Sequence, residues 1–306
     1  MAKKAMSSPG GDDRWVAAVE ARSAEFVERF GKVCSISDKA LSGIFEVGCF
    51  LTIVGDYERQ GLVVEARNLV EDGFRYLTTP NGNPANFSHL KLVGEGASWE
   101  IRQQVRVCSH WHDDVNFTPD IVVVDEDAEI RTEKDQDYAA GKRRFFRVNA
   151  SSVVAAHECK SMTGFPELYV SFVGMFLMGH AWYGDPVSKS VARQSRGHLA
   201  PSLFVGSEAS NLHRRMMTAL ESQFPINLLS GLYRGAWALE RKAGQVNRIP
   251  FRAKIGGTAP QCGDDHVEPE RDRATAIAGL DIGSGGEQPA HLGTALFRDR
   301  RPALRC

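Results

Sequence analysis

The sequence predicts an α/β protein in which helices flank a central mixed β-sheet. Apolar side chains recur at helical spacing over much of the N-terminal region, as they do across residues 44–54. The period then changes, and runs rich in β-branched residues follow, the clearest being Ile-Val-Val-Val at 121–124. A helix, a strand and a second helix are predicted within residues 166–223, and this alternation is typical of a sheet covered by helices.

The N-terminal region is predicted to be helical. Asp12 or Asp13 caps a first helix that runs to about residue 30, after a leader rich in Ser, Pro and Gly. A second helix is predicted over residues 38–60, and the helical spacing continues over residues 62–76. The stretch Thr-Pro-Asn-Gly-Asn-Pro at 79–84 predicts a loop, because Pro and Gly interrupt regular structure.

Four strands and two further helices are predicted in the remainder. Partial alternation predicts a strand over residues 99–108, and an unbroken apolar run predicts a strand over 118–125 that is buried on both faces. A polar excursion follows it. The other predicted elements are a strand over 145–160 that breaks near 149–152, a helix over 166–182, a strand over 202–207 and a helix over 211–223.

The composition is that of an ordinary globular protein, with 42% hydrophobic and 25% charged residues. The formal net charge of −1 does not indicate a nucleic-acid-binding protein, although a local basic groove is compatible with it. No signal peptide is predicted, and the apolar stretch 168–182 is too short to span a membrane. The six cysteines lack the spacing of a metal site or disulfide framework, so we expect reduced thiols in a cytoplasmic protein.

Three regions are predicted along the chain. Residues 1–37 are expected to form an N-terminal leader and helix, and residues 38–250 the main domain. Residues 251–306 are rich in Gly, Pro, Arg and Asp and lose the apolar periodicity. A tail without a packed core of its own, and therefore disordered, is predicted there.

Two short acidic motifs each accompany an apolar strand. The first, Phe-Thr-Pro-Asp, ends at Asp120 and precedes the strand, and the second, His-Glu-Cys-Lys, ends its strand at Lys160 and includes Glu158. Residues two apart lie on the same face of a strand. Two carboxylates can hold a divalent cation, and a nearby ammonium group can position a water molecule. Each motif alone also has an ordinary explanation, as a turn aspartate or as an exposed Glu–Lys pair.

The order of these motifs resembles that of the PD-(D/E)xK nuclease superfamily, whose members have the restriction-endonuclease-like fold. The predicted order of elements over roughly residues 38–225 is similar to the αβββαβ core of that fold. The resemblance implies metal-dependent hydrolysis of phosphodiester bonds, in DNA rather than RNA, with Mg²⁺ as the cofactor and Mn²⁺ as a substitute. The superfamily includes restriction, genome-defence and repair enzymes, and a homodimer is compatible with cleavage of both strands.

The resemblance also implies roles for individual residues. Asp120 and Glu158 would ligate the cation together with the backbone carbonyl of Cys159. Lys160 would orient the attacking water and stabilise charge on the phosphate. These roles suit an in-line displacement, in which cations stabilise the charge that develops on the phosphate.

Members of the superfamily often add an acidic residue from a helix that precedes the first core strand. Glu46 is the first choice, because a charge within an apolar helix is costly unless it is paired or ligated. A solvent-facing Glu46 is the ordinary alternative. Glu95 and Glu100 stay open as rivals, since they flank the first predicted strand more closely.

A local basic patch with two interleaved aromatic residues lies at 142–147. Such a segment can neutralise phosphates and stack on bases, although a solvated hairpin explains it equally well. The candidate nucleic-acid contacts are Lys142, Arg143, Arg144 and Arg147, with Arg193, Arg196, Arg214 and Arg215 as further phosphate contacts.

Two other functions stay open. The cluster His-Trp-His-Asp-Asp at 110–114 could ligate zinc through His110 and His112 and make the protein a zinc hydrolase. A polar hairpin between the first two strands is the favoured interpretation of that cluster. The second alternative is a catalytically silent nucleic-acid-binding module of the same fold, against which the intact Asp120, Glu158 and Lys160 argue.

Overall fold

The computed structural model describes ten stretches of the chain, all within one compact unit spanning Met1–Gly263. The described residues are 14–30, 33–34, 41–71, 73–77, 86–94, 97–112, 114–132, 146–184, 197–234 and 246–251. The predicted leader before residue 14, the cap at Asp12 or Asp13, the loop at 79–84 and residues 252–306 of the predicted tail lie outside them.

Four helices and two main groups of strands form the described part of the chain. The helices are α1 (Arg14–Phe30), α2 (Leu41–Arg59), α3 (Pro166–Gly179) and α4 (Asn211–Gln223). The strands are β1 (Val33–Cys34), β2 (Val63–Arg67), β3 (Phe74–Arg75), β4 (His89–Gly94), β5 (Ala97–Gln103), β6 (Arg106–Cys108), β7 (Asn116–Phe117), β8 (Ile121–Asp125), β9 (Arg131–Thr132), β10 (Phe146–Asn149), β11 (Val153–Lys160), β12 (Gly197–Leu199), β13 (Ser202–Val205), β14 (Asn227–Leu229) and β15 (Arg248–Pro250).

A seven-stranded mixed sheet is the centre of the fold and confirms the predicted α/β class. Its strand order is β14-β13-β11-β8-β5-β4-β2. The strands β11, β13 and β14 run parallel, whereas β2, β4, β5, β8 and β11 are joined by antiparallel pairings. The sheet therefore places the carboxyl end of β11 beside the start of β8, because these two strands are antiparallel.

The core is divided by the two faces of the sheet. On β8, Ile121 and Val123 belong to a large cluster that includes residues of all four helices, while Val122 and Val124 belong to a smaller one. This alternation follows from the period of two in a strand and accounts for the unbroken apolar run in the sequence. A second sheet, β7-β6-β10-β9, supplies residues such as Val107 to the smaller cluster.

The predicted break near 149–152 is confirmed. A 3-10 turn at Ala150–Ser152 separates β10, in the second sheet, from β11, in the central sheet. Asn149 caps this turn by accepting a hydrogen bond from the Ser151 N–H. The predicted helix over 166–182 ends at Gly179 and is followed by a 3-10 turn at Ala181–Gly184.

The prediction of helix over residues 62–76 is wrong. Gly61, just after α2, has a φ of +88°. This left-handed conformation favours glycine, and it ends the helical backbone before residue 62. The chain then forms β2 and, later, β3, and β2 pairs along its length with β4, a strand that the sequence did not predict. The pairing of β2 with β4 therefore overrides the local helical spacing. The β-branched residues at 63 and 64 also favour a strand.

The predicted strand over 99–108 is two strands. β5 ends at Gln103 and β6 begins at Arg106, and between them Gln104 adopts a φ of +53°. A left-handed backbone is uncommon for a non-glycine residue, and it turns the chain from the central sheet into the second one. Across the described stretches, no helix is long and apolar enough to cross a membrane.

Candidate active site

Asp120, Glu158 and Lys160 lie together at one edge of the central sheet. Ile121 is paired with His157, so Asp120 at the start of β8 lies beside the end of β11. The Lys160 ammonium nitrogen is 3.4 Å from Asp120 Oδ2 and forms an ion pair with Glu158 Oε1. The structure therefore brings together the three residues of the two predicted motifs.

Asp120 is held by the backbone of both neighbouring strands. Its Oδ2 accepts a hydrogen bond of 2.7 Å from the Cys159 N–H, and its backbone carbonyl accepts one of 3.0 Å from the Gln104 N–H. The preceding Pro119 restricts the backbone that leads into β8, and the Asp120 carboxylate accepts the Cys159 N–H of the facing strand. The carboxylate position is thus fixed by the sheet.

Glu46 reaches the same site from α2. Tyr76 donates a hydrogen bond of 3.0 Å to Glu46 Oε1. The Gln104 side-chain amide donates to Asp120 Oδ1 at 3.0 Å and lies 3.5 Å from Glu46 Oε1, so it bridges the two carboxyl groups. Of the acidic candidates in the described residues, Glu46 is the one that joins the motif residues.

The rival acidic residues lie elsewhere. Glu100 contacts His89 and Arg102 on the central sheet, 3.3 Å from His89 Nε2 and 2.6 Å from Arg102 Nε. These neighbours lower its pKa even though burial acts in the opposite direction. Glu95 lies outside the described residues.

Burial and mutual repulsion raise the pKa of two carboxyl groups at the site. Burial, aided by the charge of Asp120, raises the pKa of Glu46 to about 8, against the opposing hydrogen bonds from Tyr76 and Gln104. Burial and Asp120 also raise the pKa of Glu158 to about 7, against the attraction of Lys160. At neutral pH, Glu46 is therefore mainly protonated, and a fraction of Glu158 is protonated as well.

Lys160 stays charged. Burial alone would lower its pKa, but the carboxyl groups of Glu158 and Asp120 raise it by more. The site therefore contains three carboxyl groups, those of Glu46, Asp120 and Glu158, and one ammonium group, that of Lys160. Such a cluster favours either protons or an additional cation.

The donor set fits a divalent cation that prefers oxygen ligands, such as Mg²⁺ or Mn²⁺. Glu158 Oε2 is buried and, within the described residues, has no hydrogen-bond partner. A buried, unpartnered carboxyl oxygen is costly unless it is protonated or ligated. The described stretches nevertheless contain no group of three or more His, Cys, Asp or Glu residues already arranged around a common metal position. Lys160 lies against the oxygens that a cation would use.

Two thiols, one on α2 and one on β11, lie next to the site. Burial raises the pKa of the Cys49 and Cys159 thiols, and each thiol also affects the pKa of the other. Protonated, buried thiols are poor nucleophiles and act as packing groups. Cys49 lies about one turn after Glu46 on α2, so the two thiols pack beside the carboxyl groups of the site.

The predicted nucleic-acid contacts do not gather at this site in the described residues. Arg147 lies on β10 in the second sheet, where it pairs with Arg106 of β6. Arg214 and Arg215 line an open hollow of about 390 Å³ on α4. The other basic candidates, Lys142, Arg143, Arg144, Arg193 and Arg196, lie outside the described residues.

The histidine cluster forms the connection between the paired strands β6 and β7, as the hairpin interpretation predicted. His110 Nδ1 lies 2.7 Å from the backbone carbonyl of Met178. His112 Nδ1 lies 3.9 Å from Asp114 Oδ2, and both side chains are largely exposed. Asp113 lies outside the described residues. The described cluster members thus make separate contacts.

Gln104 and Tyr76 were not among the candidates from sequence. Gln104 left one signal, a Gln-Gln pair that interrupts the partial alternation of the strand pattern. Its left-handed backbone, a conformation that clusters at functional sites, cannot be read from residue identity. Tyr76 gave no usable signal because its segment was predicted to be helical.

Comparisons of the chain with protein-family models, with curated proteins and with solved structures found no match.

Proposed function

We propose that the protein is a divalent-cation-dependent nuclease that hydrolyses phosphodiester bonds in DNA. The observation that carries the proposal is the contact of Asp120, Glu158 and Lys160, which come from two neighbouring strands and form a carboxylate–ammonium cluster. Their arrangement agrees with the roles that the resemblance to PD-(D/E)xK nucleases implies.

The order of elements around the cluster supports the same proposal. A helix, α2, is followed by the antiparallel strands β5, β8 and β11, then by α3 and by β13, which runs parallel to β11. This order agrees with the αβββαβ core that we propose for the fold. The strands β2 and β4 extend the sheet on one side, and β14 extends it on the other.

In the proposed mechanism, Asp120 and Glu158 would hold the cation, with the Cys159 carbonyl as a further ligand. The cation would polarise the phosphate and lower the pKa of a bound water. Asp120 is oriented by the Cys159 N–H and the Gln104 amide, so its carboxylate needs little reorganisation. Glu158 offers an oxygen that lacks a partner among the described residues.

Lys160 and Glu46 complete the proposed machinery. The Lys160 ammonium would orient the attacking water and stabilise negative charge on the phosphate, because its raised pKa keeps it charged. Glu46 would lose its proton when a cation binds, since a pKa of about 8 leaves it mainly protonated at neutral pH. Tyr76 and Gln104 would keep the ionised Glu46 directed at the site.

A cleavage screen tests this proposal. Plasmid, linear duplex, single-stranded DNA and RNA are incubated with the protein in Mg²⁺, Mn²⁺, Zn²⁺ or EDTA. We expect cleavage of DNA with Mg²⁺ or Mn²⁺ and none in EDTA. Activity that depends on Zn²⁺ and is lost on His112→Ala would instead support the zinc hydrolase. Binding of DNA without cleavage in any cation would support the silent binding module.

A further inference from the structure

A short loop continues directly from the site into α3. This loop, residues 161–165, begins after Lys160 and is called the apolar loop below. Its backbone is tied to the neighbouring segments: the Gly206 N–H donates to the Lys160 carbonyl at 2.9 Å, and the Tyr233 hydroxyl donates to the Ser161 carbonyl at 2.5 Å. The start of the loop is therefore anchored beside the carboxylate–ammonium cluster.

The anchor is itself well packed. The Tyr233 ring lies 4.8 Å from the Trp15 ring and 5.6 Å from the Phe45 ring, measured between centroids. Gly206 packs so closely on the Tyr233 ring that an added Cβ would lie 2.5 Å from a ring carbon. At the other end of the loop, a Cβ added to Gly164 would lie 2.2 Å from the hydroxyl oxygen of Tyr169 on α3. The apolar loop is consequently held at both ends.

Two large apolar side chains project from this anchored loop into solvent. Met162 is 50% exposed and Phe165 is 40% exposed, although the loop backbone is fixed. Leaving such side chains in water forgoes stabilisation that burial would provide. Two exposed apolar side chains on an anchored loop beside a polar site can contact the apolar faces of a ligand. Met162 and Phe165 lie only two and five residues after Lys160.

We propose that Phe165 and Met162 stack on the bases that flank the scissile phosphate, so that the substrate is DNA with unpaired bases at the site. This inference rests on the proposed function. An aromatic ring stacks on any base once the base leaves the duplex. A paired base keeps its faces stacked within the duplex, which is why the proposed substrate has unpaired bases.

Binding of short oligonucleotides that contain 2-aminopurine, a base whose fluorescence falls when it stacks, tests the proposal. Measurements in EDTA and in Ca²⁺ separate binding from cleavage. We expect Phe165→Ala and Phe165→Leu to weaken binding of single-stranded DNA about 10-fold and to abolish the fluorescence change. Phe165→Trp keeps an aromatic face and should retain both. Val170→Ala, at an exposed apolar position on α3, is the matched control and should leave binding unchanged.

Several results would overturn the inference. One is unchanged single-strand affinity in Phe165→Ala and Phe165→Leu when thermal unfolding shows that both are folded. Another is an equal loss on duplex and single-stranded DNA. A third is a change in self-association, measured by sedimentation, without a change in DNA binding, because the loop would then be a protein-contact surface.

The same experiment separates the inference from the proposed function. Stacking that depends on Phe165, in a protein that cleaves nothing in any cation, would support the base-binding role and refute the nuclease proposal. Cleavage that is indifferent to residue 165 would do the opposite.

Discussion

The protonation of Glu46 makes a prediction about stability that does not depend on finding a substrate. The pKa of Glu46 rises from 4.5 to about 8 because of burial and the nearby charge of Asp120. A group whose pKa is higher in the folded state stabilises the fold below its unfolded pKa. That stabilisation is lost as the pH rises through the folded pKa. The metal-free protein should therefore lose stability between about pH 5 and pH 8.5.

The magnitude follows from the size of the pKa change. Each pKa unit corresponds to about 1.4 kcal/mol, so the rise at Glu46 corresponds to roughly 5 kcal/mol if the site stays rigid. Because water enters and neighbouring groups relax when a buried charge forms, we expect about 3 kcal/mol in practice. Glu46→Gln removes the titration while keeping an oxygen that can accept from Tyr76. The variant should therefore be about 3 kcal/mol more stable than the wild type at pH 8.5 and similar to it at pH 5.

Urea unfolding in EDTA, followed from pH 5 to pH 8.5, measures this difference. Glu65→Gln, which alters an exposed carboxyl on β2, is the control and should run parallel to the wild type. Wild type and Glu46→Gln with the same pH dependence would refute the reasoning, since Glu46 would then titrate as an ordinary carboxyl group. A pH dependence that vanishes in both Gln variants would point to a general effect of charge.

Three further predictions concern the surroundings of the site. Lys160→Gln removes the charge that opposes the rise in the pKa of Glu158, so cation binding at pH 7 should release more protons, measured by calorimetry in two buffers. An unchanged proton count would contradict this. Gln104→Leu leaves two carboxyl groups without their shared donor and should cost about 1 to 3 kcal/mol of unfolding free energy at pH 8. Arg248→Met removes the hydrogen bonds of 2.7 and 2.8 Å that Asp56, which is 4% exposed, accepts from Arg248, and leaves those from Gln60 and Arg59. It should cost about 3 kcal/mol in urea unfolding, and a loss below about 1 kcal/mol would show that the pair contributes little.

The parts of the fold with a strong local period could be predicted from the sequence. The strand β8 has apolar residues on both faces, and α4 is amphipathic and is capped by Ser210, so both lie close to their predicted positions. The strands β2 and β4 could not be predicted in the same way, because what stabilises them is pairing across the sheet, of β2 with β4 and of β4 with β5. The spacing of Val63 and Ala66 suits a helix as well as a strand until that pairing is known.

The candidate site divides in a similar way. The spacing of Glu158 and Lys160 predicts a shared face of one strand, and the structure places Asp120 beside them through the register of β8 and β11. Gln104 enters the site through a backbone turn with φ of +53°, and Tyr76 through the position of its segment opposite α2. Both depend on long-range packing, which a single sequence does not display.

Cleavage of DNA by the wild type and by Asp120→Asn in Mg²⁺ tests the central claim most directly. Asn keeps an oxygen that can accept from the Cys159 N–H, so the variant should stay folded, which thermal unfolding checks. Asp114→Asn, in the exposed hairpin between β6 and β7, is the matched control. The proposed mechanism predicts cleavage by the wild type and the control, at least a 100-fold loss in Asp120→Asn, and none in EDTA. Equal cleavage by the wild type and a folded Asp120→Asn would contradict it.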